Sequence, residues 1–408
     1  MQLFTLNKNF HRVDIIEEFY SLIWTERFYG DSECEVVIPL TRPMIQKFTE
    51  GSFLSVDKSD EPMIIETFSI EEGKIKVVGI SIASWLNNRF VRTSDNHRQS
   101  VWKIKDQKPQ QILRTIVKQM CTAQSDYLTG AKDMGLGSTA RAKELIIPGL
   151  KLASYNVKQD HDKSVPKAIV EYGPVYDALR KVAEQHHIGM QVLLNTDDFS
   201  LRFRTYKGAN RTSNHDKNPS GKIVRFSPVM DSLASIKELR SIADFKTLVY
   251  TYASDLEQVD VDPLTTPGHI NMQYIQTAPG VARRSPTEGK YTGFDLRAVM
   301  VMESSIKIQD DIDKTDPAGD FASMQKELRD ILNNRADREM NQYPHVRTVD
   351  GEVAPTNLYR YGRDYALGDI IEVEGNTGMV EVSRVTEYIR SQDENGEKSY
   401  PTVEAVDP

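Results

Sequence analysis

Cysteine is scarce in this sequence, which contains only Cys34 and Cys121. Two thiols cannot form a disulfide framework, and a structural zinc site usually takes four cysteine or histidine ligands. The sequence therefore excludes a small disulfide-stabilised domain and a thiolate metal cage. It suits synthesis in a reducing compartment.

Long apolar runs are also missing. A membrane-spanning helix needs about 18 or more consecutive apolar residues, and no window of the chain approaches that length. Residues 1–8 contain no basic segment followed by an apolar run, which is the pattern of a secretory signal. We therefore expect neither secretion by that route nor stable membrane embedding.

The chain has no excess of basic residues. The 51 lysines and arginines face 59 aspartates and glutamates, which gives a formal net charge of −8. Proteins that hold nucleic acid neutralise many phosphates with cations, so this balance argues against a DNA-wrapping protein. A channel through which DNA passes without sticking is compatible with the same charge.

Recognisable catalytic motifs are absent. The sequence has no nucleophile elbow, no Walker loop and no Cys–His nucleophile pattern. Gly130, Gly135 and Gly137 lie in a loop without the strand and helix of a phosphate cradle. Asp197 and Asp198 could suggest the paired carboxylates of glycoside cleavage, but they fall at the tip of an expected hairpin.

Metal-binding patterns are equally weak. The adjacent His186-His187 pair would point about 100° apart on a helix, so we interpret it as a helix end. His161-Asp162 and His215-Asp216 lie in polar loops. Residues 310–316 are the densest acidic run, but the glycine and final glutamate of a calcium loop fall in the wrong places. We predict no catalytic residue, no metal ligand and no cofactor.

The sequence does carry two regions rich in strand signals. At 408 residues the chain should divide into two to four units. Residues 1–92 predict a first β-barrel-like unit, with strands at residues 34–40, 51–56, 63–70 and 74–80 and a short helix at residues 83–89. Residues 223–254 and 351–408 predict a second, split barrel-like unit, which begins with a strand at residues 223–227 and one at residues 246–253.

The final strands form the clearest pattern in the second unit. Residues 365–373 read as a turn that leads into a β-branched strand, and residues 379–390 alternate apolar and polar side chains. A third strand follows the loop at Asn395-Gly396. This β-meander, at residues 358–406, predicts the closure of a small barrel, quasi-equivalent to the first, and such modules more often support assembly than chemistry.

Two inserted units of mixed structure complete the expected architecture. Residues 93–222 predict a helix from Pro109, a second helix over residues 174–187 that Gly189 ends, and a hairpin around residues 195–198. Residues 255–350 predict a strand at 296–303 and a helix from Asp320, as its cap, to about Tyr343. The fold class is thus a β-rich α+β multidomain protein.

The ordered features resemble a known family over nearly the whole chain. The opening segments at residues 10–16, 21–28 and 30–39, with residues 86–89, are similar to the first part of the tail-tip hub proteins of long-tailed, non-contractile bacteriophages. Residues 203–212 with 224–227 resemble its middle signature. Tyr365-Ala366-Leu367-Gly368-Asp369, residues 384–387 and residues 401–403 resemble its end. The same module lies at the front of tail-associated lysins.

The resemblance implies a homotrimer in which two barrels per subunit form a pseudo-hexameric ring and two inserted domains project from it. Such a hub lies at the tail tip of the virion, after synthesis in the host cytoplasm. It caps the tail tube, binds the hexameric distal tail protein and the tape measure protein, and opens for DNA ejection. Receptor-binding or central fibre proteins are further expected partners, and genomic DNA would only pass through.

Two other functions stay open on the sequence. Lysin-type relatives carry an enzymatic extension after the hub module, whereas this sequence stops at Pro408, so we expect no enzyme activity. A cell-wall hydrolase with an acidic site in the inserted units is nevertheless an alternative. A carbohydrate-binding adhesin that uses Tyr274, Tyr291 and Tyr359 is another.

Overall fold

The structure is a computed structural model of the chain. It describes residues 1–93, 101–130, 136, 138–155, 162–214, 217–227, 230, 233–254, 258–260, 272–274, 277–284, 290–304, 306, 317–353, 359–375, 378 and 380–406. Within these ranges it describes the backbone alone at residues 167, 233–237, 258–260, 272–274, 317–320, 347–353 and 405.

Strands dominate the described chain. The strands of the first half are β1 Leu3–Leu6, β2 Arg12–Ile16, β3 Ser21–Arg27, β4 Glu33–Pro39, β5 Phe53–Val56, β6 Met63–Glu71, β7 Lys74–Ser81, β8 Phe90–Val91, β9 Val101–Gln107, β10 Leu150–Leu152, β11 Val165–Glu171, β12 Gly173–Pro174, β13 Gly189–Asn195 and β14 Ser200–Tyr206. Those of the second half are β15 Arg225–Phe226, β16 Leu233–Ser241, β17 Leu248–Ala253, β18 Gln258–Asp260, β19 Met272–Tyr274, β20 Gly280–Arg283, β21 Ala298–Glu303, β22 Val346–Val353, β23 Ile370–Glu374, β24 Val380–Asp393 and β25 Gly396–Ala405.

The helices are fewer. They are α1 Arg42–Lys47, α2 Ile82–Trp85, α3 Pro109–Cys121, α4 Thr139–Glu144, α5 Val175–His186 and α6 Pro317–Asn341, with single 3-10 turns at Leu86–Asn88 and Gly293–Asp295. Within the described ranges, none of these helices is long and apolar enough to span a membrane.

One large sheet joins the two ends of the chain. Its 13 strands include an unbranched path in the order β16-β22-β25-β24-β3-β4-β7-β6-β5-β1-β2, with β15 and β23 attached beside β24. We call β1–β7 the first block, and β15, β16 and β22–β25 the second block. The blocks meet where β24 pairs antiparallel with β3.

The two closed barrels expected from the sequence are not formed by the described strands. Strand β24 is 14 residues long and pairs with β23 and β25 near its start and with β3 and β25 near its end. Because β3 takes the free edge of β24, the strands of the second block continue into the first block and do not return on themselves. The sheet folds over two cores, one in each block.

The same strand order occurs in both blocks. The first block contributes β3-β4-β7-β6, and the second contributes β16-β22-β25-β24, read in the same direction along the path. When the four strands of each set are numbered in chain order, their order across the sheet is 1-2-4-3. All neighbours within the two sets are antiparallel. The blocks are therefore arranged head to tail, with the third strand of one beside the first of the other.

Details of the last hairpin in each set repeat as well. Strands β6 and β7 pair from Glu71↔Lys74 across a two-residue turn, and β24 and β25 pair from Asp393↔Gly396 in the same way. Each hairpin also has a register shift, at residue 66 in β6 and at residue 386 in β24, which are five and seven residues before the turn. Register shifts of this kind are β-bulges, which bend and twist a strand.

The segment between the blocks, which we call the middle unit, comprises residues 101–206 within the described chain. Its core packs α3 and α5 against the β13–β14 hairpin, and it extends to Leu6 and Phe10 of the first block. The apolar residues of α3 lie on one helical face, as the sequence predicts, and all are buried: Ile112, Leu113, Ile116, Val117 and Met120.

A second inserted unit, which we call the α6 unit, contains the sheet β20-β17-β21 and helix α6. Met324, Leu328 and Leu332 of α6 form one core cluster, and Ala336 and Met340 pack with Val249 in another. The sequence placed β17 in the second block, whereas its strand partners are β20 and β21.

Most expected elements are confirmed, with two boundary errors. Helices α3 and α5, the β13–β14 hairpin and the strands of the first block lie where the sequence predicts them. Helix α6 begins at Pro317, so the assignment of Asp320 as its cap is wrong, because proline is well suited to a first helical turn. The strand expected at residues 223–227 is reduced to Arg225–Phe226.

Candidate functional site

The most unusual arrangement of side chains lies where β24 pairs with β3. We call the β3–β24 pairing and the buried polar side chains around it the junction. Side chains of Leu22, Trp24 and Glu26 alternate along β3 and are all buried. Strand β24 places Tyr388 opposite Glu26 and Arg390 opposite Trp24. The junction therefore brings a carboxylate and a guanidinium into an apolar face.

Glu26 and Arg390 form a buried ion pair. The distance from Arg390 Nη1 to Glu26 Oε2 is 3.3 Å, and both residues are 5% exposed. Tyr361 Oη also donates to Glu26 Oε2, at 3.3 Å, and Ser59 Oγ donates to Glu26 Oε1. Burying a charge is costly unless it is paired and hydrogen-bonded, and Glu26 has both kinds of partner.

Aromatic rings surround the guanidinium of Arg390. It lies 4.7 Å from the ring centroid of Tyr388 and 5.3 Å from that of Tyr361, within the range of cation–π attraction. The Tyr361 and Tyr388 rings are stacked, with centroids 3.7 Å apart, and Tyr365 contacts Tyr361 edge-on. Burial raises the pKa of Tyr361 above its ordinary value, with the neighbouring carboxylate of Glu26 adding to the rise.

A second buried carboxylate extends the junction into the middle unit. Glu61 is 1% exposed and accepts a hydrogen bond from Gln191 Nε2 at 3.4 Å. Arg204 donates twice to Gln191 Oε1, at 3.2 and 2.7 Å. Burial, with the nearby charge of Glu26, raises the pKa of Glu61 to about 8. The Glu61 carboxyl is therefore mostly protonated at neutral pH.

Close contacts around Phe28 hold the three parts of the chain together. The Phe28 backbone nitrogen donates to Thr386 O at 2.8 Å, which continues the β3–β24 pairing. A Cβ on Gly189 would lie 2.5 Å from the Phe28 ring, and one on Gly368 would lie 2.3 Å from it. Only glycine fits at either position, so these two glycines let the middle unit and the second block pack against the first.

The segment after β14 is tied to β23. A Cβ on Gly208 would lie 1.9 Å from the carbonyl of Gly368, so the two backbones touch directly. Ala209 N donates to Asp369 Oδ1 at 2.6 Å. Arg225 Nη2 donates to Glu372 Oε2 at 2.7 Å, and Ser213 binds the other oxygen of the same carboxylate. The link between the middle unit and the second block is thus fixed by charge-assisted hydrogen bonds.

A cleft lies elsewhere, between the middle unit and α6. It has a volume of about 180 Å³. Glu171 lies in its wall and pairs with Arg335 and Lys181, each at 2.9 Å. Burial opposes the ionisation of Glu171, but these cations hold its pKa below the ordinary value. The carboxylate in the wall of the cleft is therefore already neutralised by its neighbours.

The junction has the properties of a structural joint. Glu26 and Glu61 are both enclosed, so a polymer substrate cannot reach them. Within the described residues, no group of three or more histidines, cysteines, aspartates or glutamates is placed to hold a metal ion. Burial raises the pKa of both cysteine thiols, Cys34 and Cys121, to about 12, so neither is activated as a nucleophile.

Nearly the whole sequence matches a known protein family. Residues 1–403 match the family model described as "Siphovirus ReqiPepy6 Gp37-like protein". The chain belongs to this family. The match confirms the expectation of a siphophage family, and it spans both blocks and both inserted units. No curated protein matches the sequence.

Solved structures similar to this Gp37-like chain include three tail proteins. The prophage MuSo2 43 kDa tail protein from Shewanella oneidensis is 10% identical, with a TM-score of 0.48, over 99% of this chain and 98% of its own. A tail protein from Neisseria meningitidis is 12% identical, with a TM-score of 0.47, over 99% and 96%. Prophage tail protein gp18 from Listeria monocytogenes is 10% identical, with a TM-score of 0.46, over 99% and 94%.

Several residues that the sequence offered as candidate site residues have structural roles in this Gp37-like chain. His186 ends α5, and His187 caps it in a left-handed conformation. Asp198 lies in the β13–β14 turn, where the hydroxyl of Ser200 and the cation of Lys151 hold its pKa below the ordinary value. Tyr359 packs edge-on against Phe226 at 5.6 Å and belongs to the second-block core.

Other candidate site residues from the sequence lie outside the described residues. These are His161, His215 and Asp216, residues 310–316, Gly135, Gly137 and the side chain of Tyr274. Tyr291 is described and lies 5.8 Å below the ammonium of Lys290.

The sequence interpretation did not identify the junction. One signal was available, because Glu26 continues the apolar alternation of Leu22 and Trp24, and Arg390 similarly follows Tyr388. A charged residue in the buried phase of a strand indicates a partner across the sheet. Glu61 gave no such signal, since it lies between Asp60 and Pro62 in an apparent turn.

Proposed function

We propose that this chain is a structural hub of a siphophage tail. Three copies form a ring that caps the distal end of the tail tube, and each copy contributes the two blocks of its large sheet, which share one strand order. The ring binds the hexameric distal tail protein and the end of the tape measure protein, and it opens for DNA passage. Receptor-binding or fibre proteins attach to the same tip.

The observation that carries this proposal is the repeated strand order in the two blocks. A subunit that contains two blocks of the same strand order, arranged head to tail, lets three copies present six similar surfaces. Such a trimer matches a six-fold tube, which a trimer of unrelated domains would not. The net charge of −8 suits a passage that does not retain DNA.

The remaining domain boundaries belong to the same proposal. Residues 93–222 and 255–350 form the inserted domains that project from the ring, between the hub segments at residues 1–92, 223–254 and 351–408. At the bounds of the second insertion, strand pairing joins β17 to the α6 unit and β22 to the second block. The ion pairs of Glu171 with Arg335 and Arg338 of α6 support a fixed contact between the two projections.

Light scattering on the purified full-length protein tests the proposal. We expect a particle of three chains, and we expect co-sedimentation with the distal tail protein. A stable monomer that does not bind this partner would contradict the hub. Clearing of Gram-positive cell walls in a zymogram, lost on substitution of one carboxylate, would instead support the hydrolase alternative.

A further inference from the structure

We infer that neighbouring copies of this chain join by pairing β6 of one copy with β16 of the next, as β24 pairs with β3 within a copy. The inference rests on the proposed ring and names its interface. It follows from the correspondence between the two blocks, which can be worked out residue by residue.

Both strands have edges open for such a pairing. Over residues 67–71, β6 pairs with β7 on one side, and no described strand lies on the other. Strand β16 pairs with β22 alone among the described strands. In the repeat, β6 corresponds to β24 and β16 corresponds to β3. Strands β24 and β3 pair with each other at the junction. The open edges of β6 and β16 therefore lack the strand partner that β24 and β3 have.

The junction also supplies the register. The turns of the last hairpins align Glu71 with Asp393. Thr25↔Glu33 is the last pair between β3 and β4, and Ser241↔Val346 is the last pair between β16 and β22. These two ends align Ser241 with Thr25. At the junction Ser391 lies opposite Ile23 and Arg390 opposite Trp24. The corresponding contact between copies places Ser69 opposite Leu239 and Phe68 opposite Arg240.

The side chains at the two edges suit this contact. Leu239 on β16 is 56% exposed and would lie opposite the half-buried Ser69 on one face of the sheet. Leu239 corresponds to Ile23, which is also exposed, so the faces of the sheet agree in the two blocks. The pairing of Phe68 with Arg240 would again set a guanidinium beside an aromatic ring, with the two residue types exchanged between strands.

Charge disfavours a contact between two copies of β6. Glu66 and Glu71 are exposed on β6, whereas β16 carries Arg240, which also pairs with Glu381 of its own chain at 3.4 Å. Two β6 edges would bring acidic residues together, and a head-to-tail contact avoids this repulsion. Strand β2, at the far end of the sheet, has no counterpart in the second block. The repeat therefore assigns it no partner, although its Val13 is 61% exposed.

Disulfide trapping tests the interface on the full-length chain. Residues directly opposite in an antiparallel pair have Cα atoms about 4.5–5.5 Å apart, a separation that a disulfide spans. The two native thiols are buried and have raised pKa values, so the background is low. We expect the double variant Ser69→Cys with Leu239→Cys, in oxidised glutathione, to give linked species that end at three chains.

Three controls sharpen the result. A mixture of the Ser69→Cys and Leu239→Cys single variants should give two-chain species only, and neither single variant alone should cross-link. A matched double variant with Val13→Cys and Leu239→Cys should also fail to cross-link. Cross-linking of Ser69→Cys with itself would overturn the head-to-tail contact, and cross-linking through Val13 would overturn the choice of β6.

The outcome separates the interface from the proposed function. A particle of three chains by light scattering without cross-linking at Ser69 and Leu239 would overturn this interface and leave the hub proposal standing. A monomer without cross-linking, even with the distal tail protein present, would overturn both.

Discussion

At the scale of single residues, the Glu26–Arg390 pair is where the fold depends most on one contact. Each residue is 5% exposed, and each is held by further contacts with Tyr361. A buried pair contributes little net stability compared with apolar residues of the same shape. Removal of one partner is costly, because the other charge stays buried without compensation.

We expect Arg390→Met to destabilise the chain by about 3 kcal/mol or more, since Glu26 would lose its cation. The free energy of unfolding in urea is the measurement. The matched control is Arg180→Met, which breaks the half-exposed pair with Glu184 and should cost about 0.5 kcal/mol or less. Equal effects of the two substitutions would show that the junction is not a buried charge pair.

Glu61 should make stability depend on pH. Its pKa is raised to about 8 in the folded chain, so between about pH 5 and pH 8 the folded state binds more protons there than the unfolded state. The contribution of Glu61 to stability is therefore present at low pH and is lost as the pH rises through this range. The loss is at most about 1.4 kcal/mol per pH unit.

We expect Glu61→Gln to remove this dependence. Urea unfolding of both proteins at several pH values should show a difference in stability that grows in favour of the variant from pH 5 to pH 8. Exposed Glu72→Gln is the control and should leave the pH dependence of the wild-type chain unchanged. A wild-type chain that gains stability relative to Glu61→Gln over this range would contradict the protonated carboxyl.

At the scale of elements, β24 shows what the sequence can predict. Its alternation of apolar and polar residues predicts a strand at residues 379–390, and the strand is Val380–Asp393. The sequence could not show that both edges of this strand are occupied, because pairing partners are set by contacts between distant residues. The expected barrel closure followed from treating β24 as part of a local meander.

Strand β22 was missed for a related reason. It contains Asp350-Gly351, a dipeptide that favours a turn. Pairing with β16 on one side and β25 on the other keeps this segment extended. Local preference is weak compared with two sets of backbone hydrogen bonds, so only the assembled sheet identifies the strand.

At the scale of the whole molecule, the repeat of the two blocks explains the place of the insertions. Strands β3 and β4 are joined by a short loop, whereas the equivalent β16 and β22 are separated by the entire α6 unit. This interruption hides the similarity of the blocks in the sequence, because equivalent strands are spaced differently. The sequence could predict two strand-rich blocks, but their common order required the paired strands.

A charge pair placed across the inferred interface should control assembly. Ser69→Glu with Leu239→Glu puts two like charges directly opposite each other at every contact between copies, at a cost of up to about 1 kcal/mol each. A closed trimer has three such contacts, so its constant for dissociation into three chains should rise up to about a hundredfold, which moves the midpoint of dissociation up to about tenfold in concentration. Light scattering over a dilution series measures this shift.

The matching variant, Ser69→Glu with Leu239→Lys, places opposite charges at the same two positions and should restore the three-chain particle at the original concentrations. Both variants change a half-buried serine and an exposed leucine, so circular dichroism should report the same folded chain in each. Restoration by the opposite charge requires that the two side chains meet. If the lysine variant dissociates as readily as the glutamate variant, Leu239 and Ser69 lie in different surfaces and the ring closes through other strands.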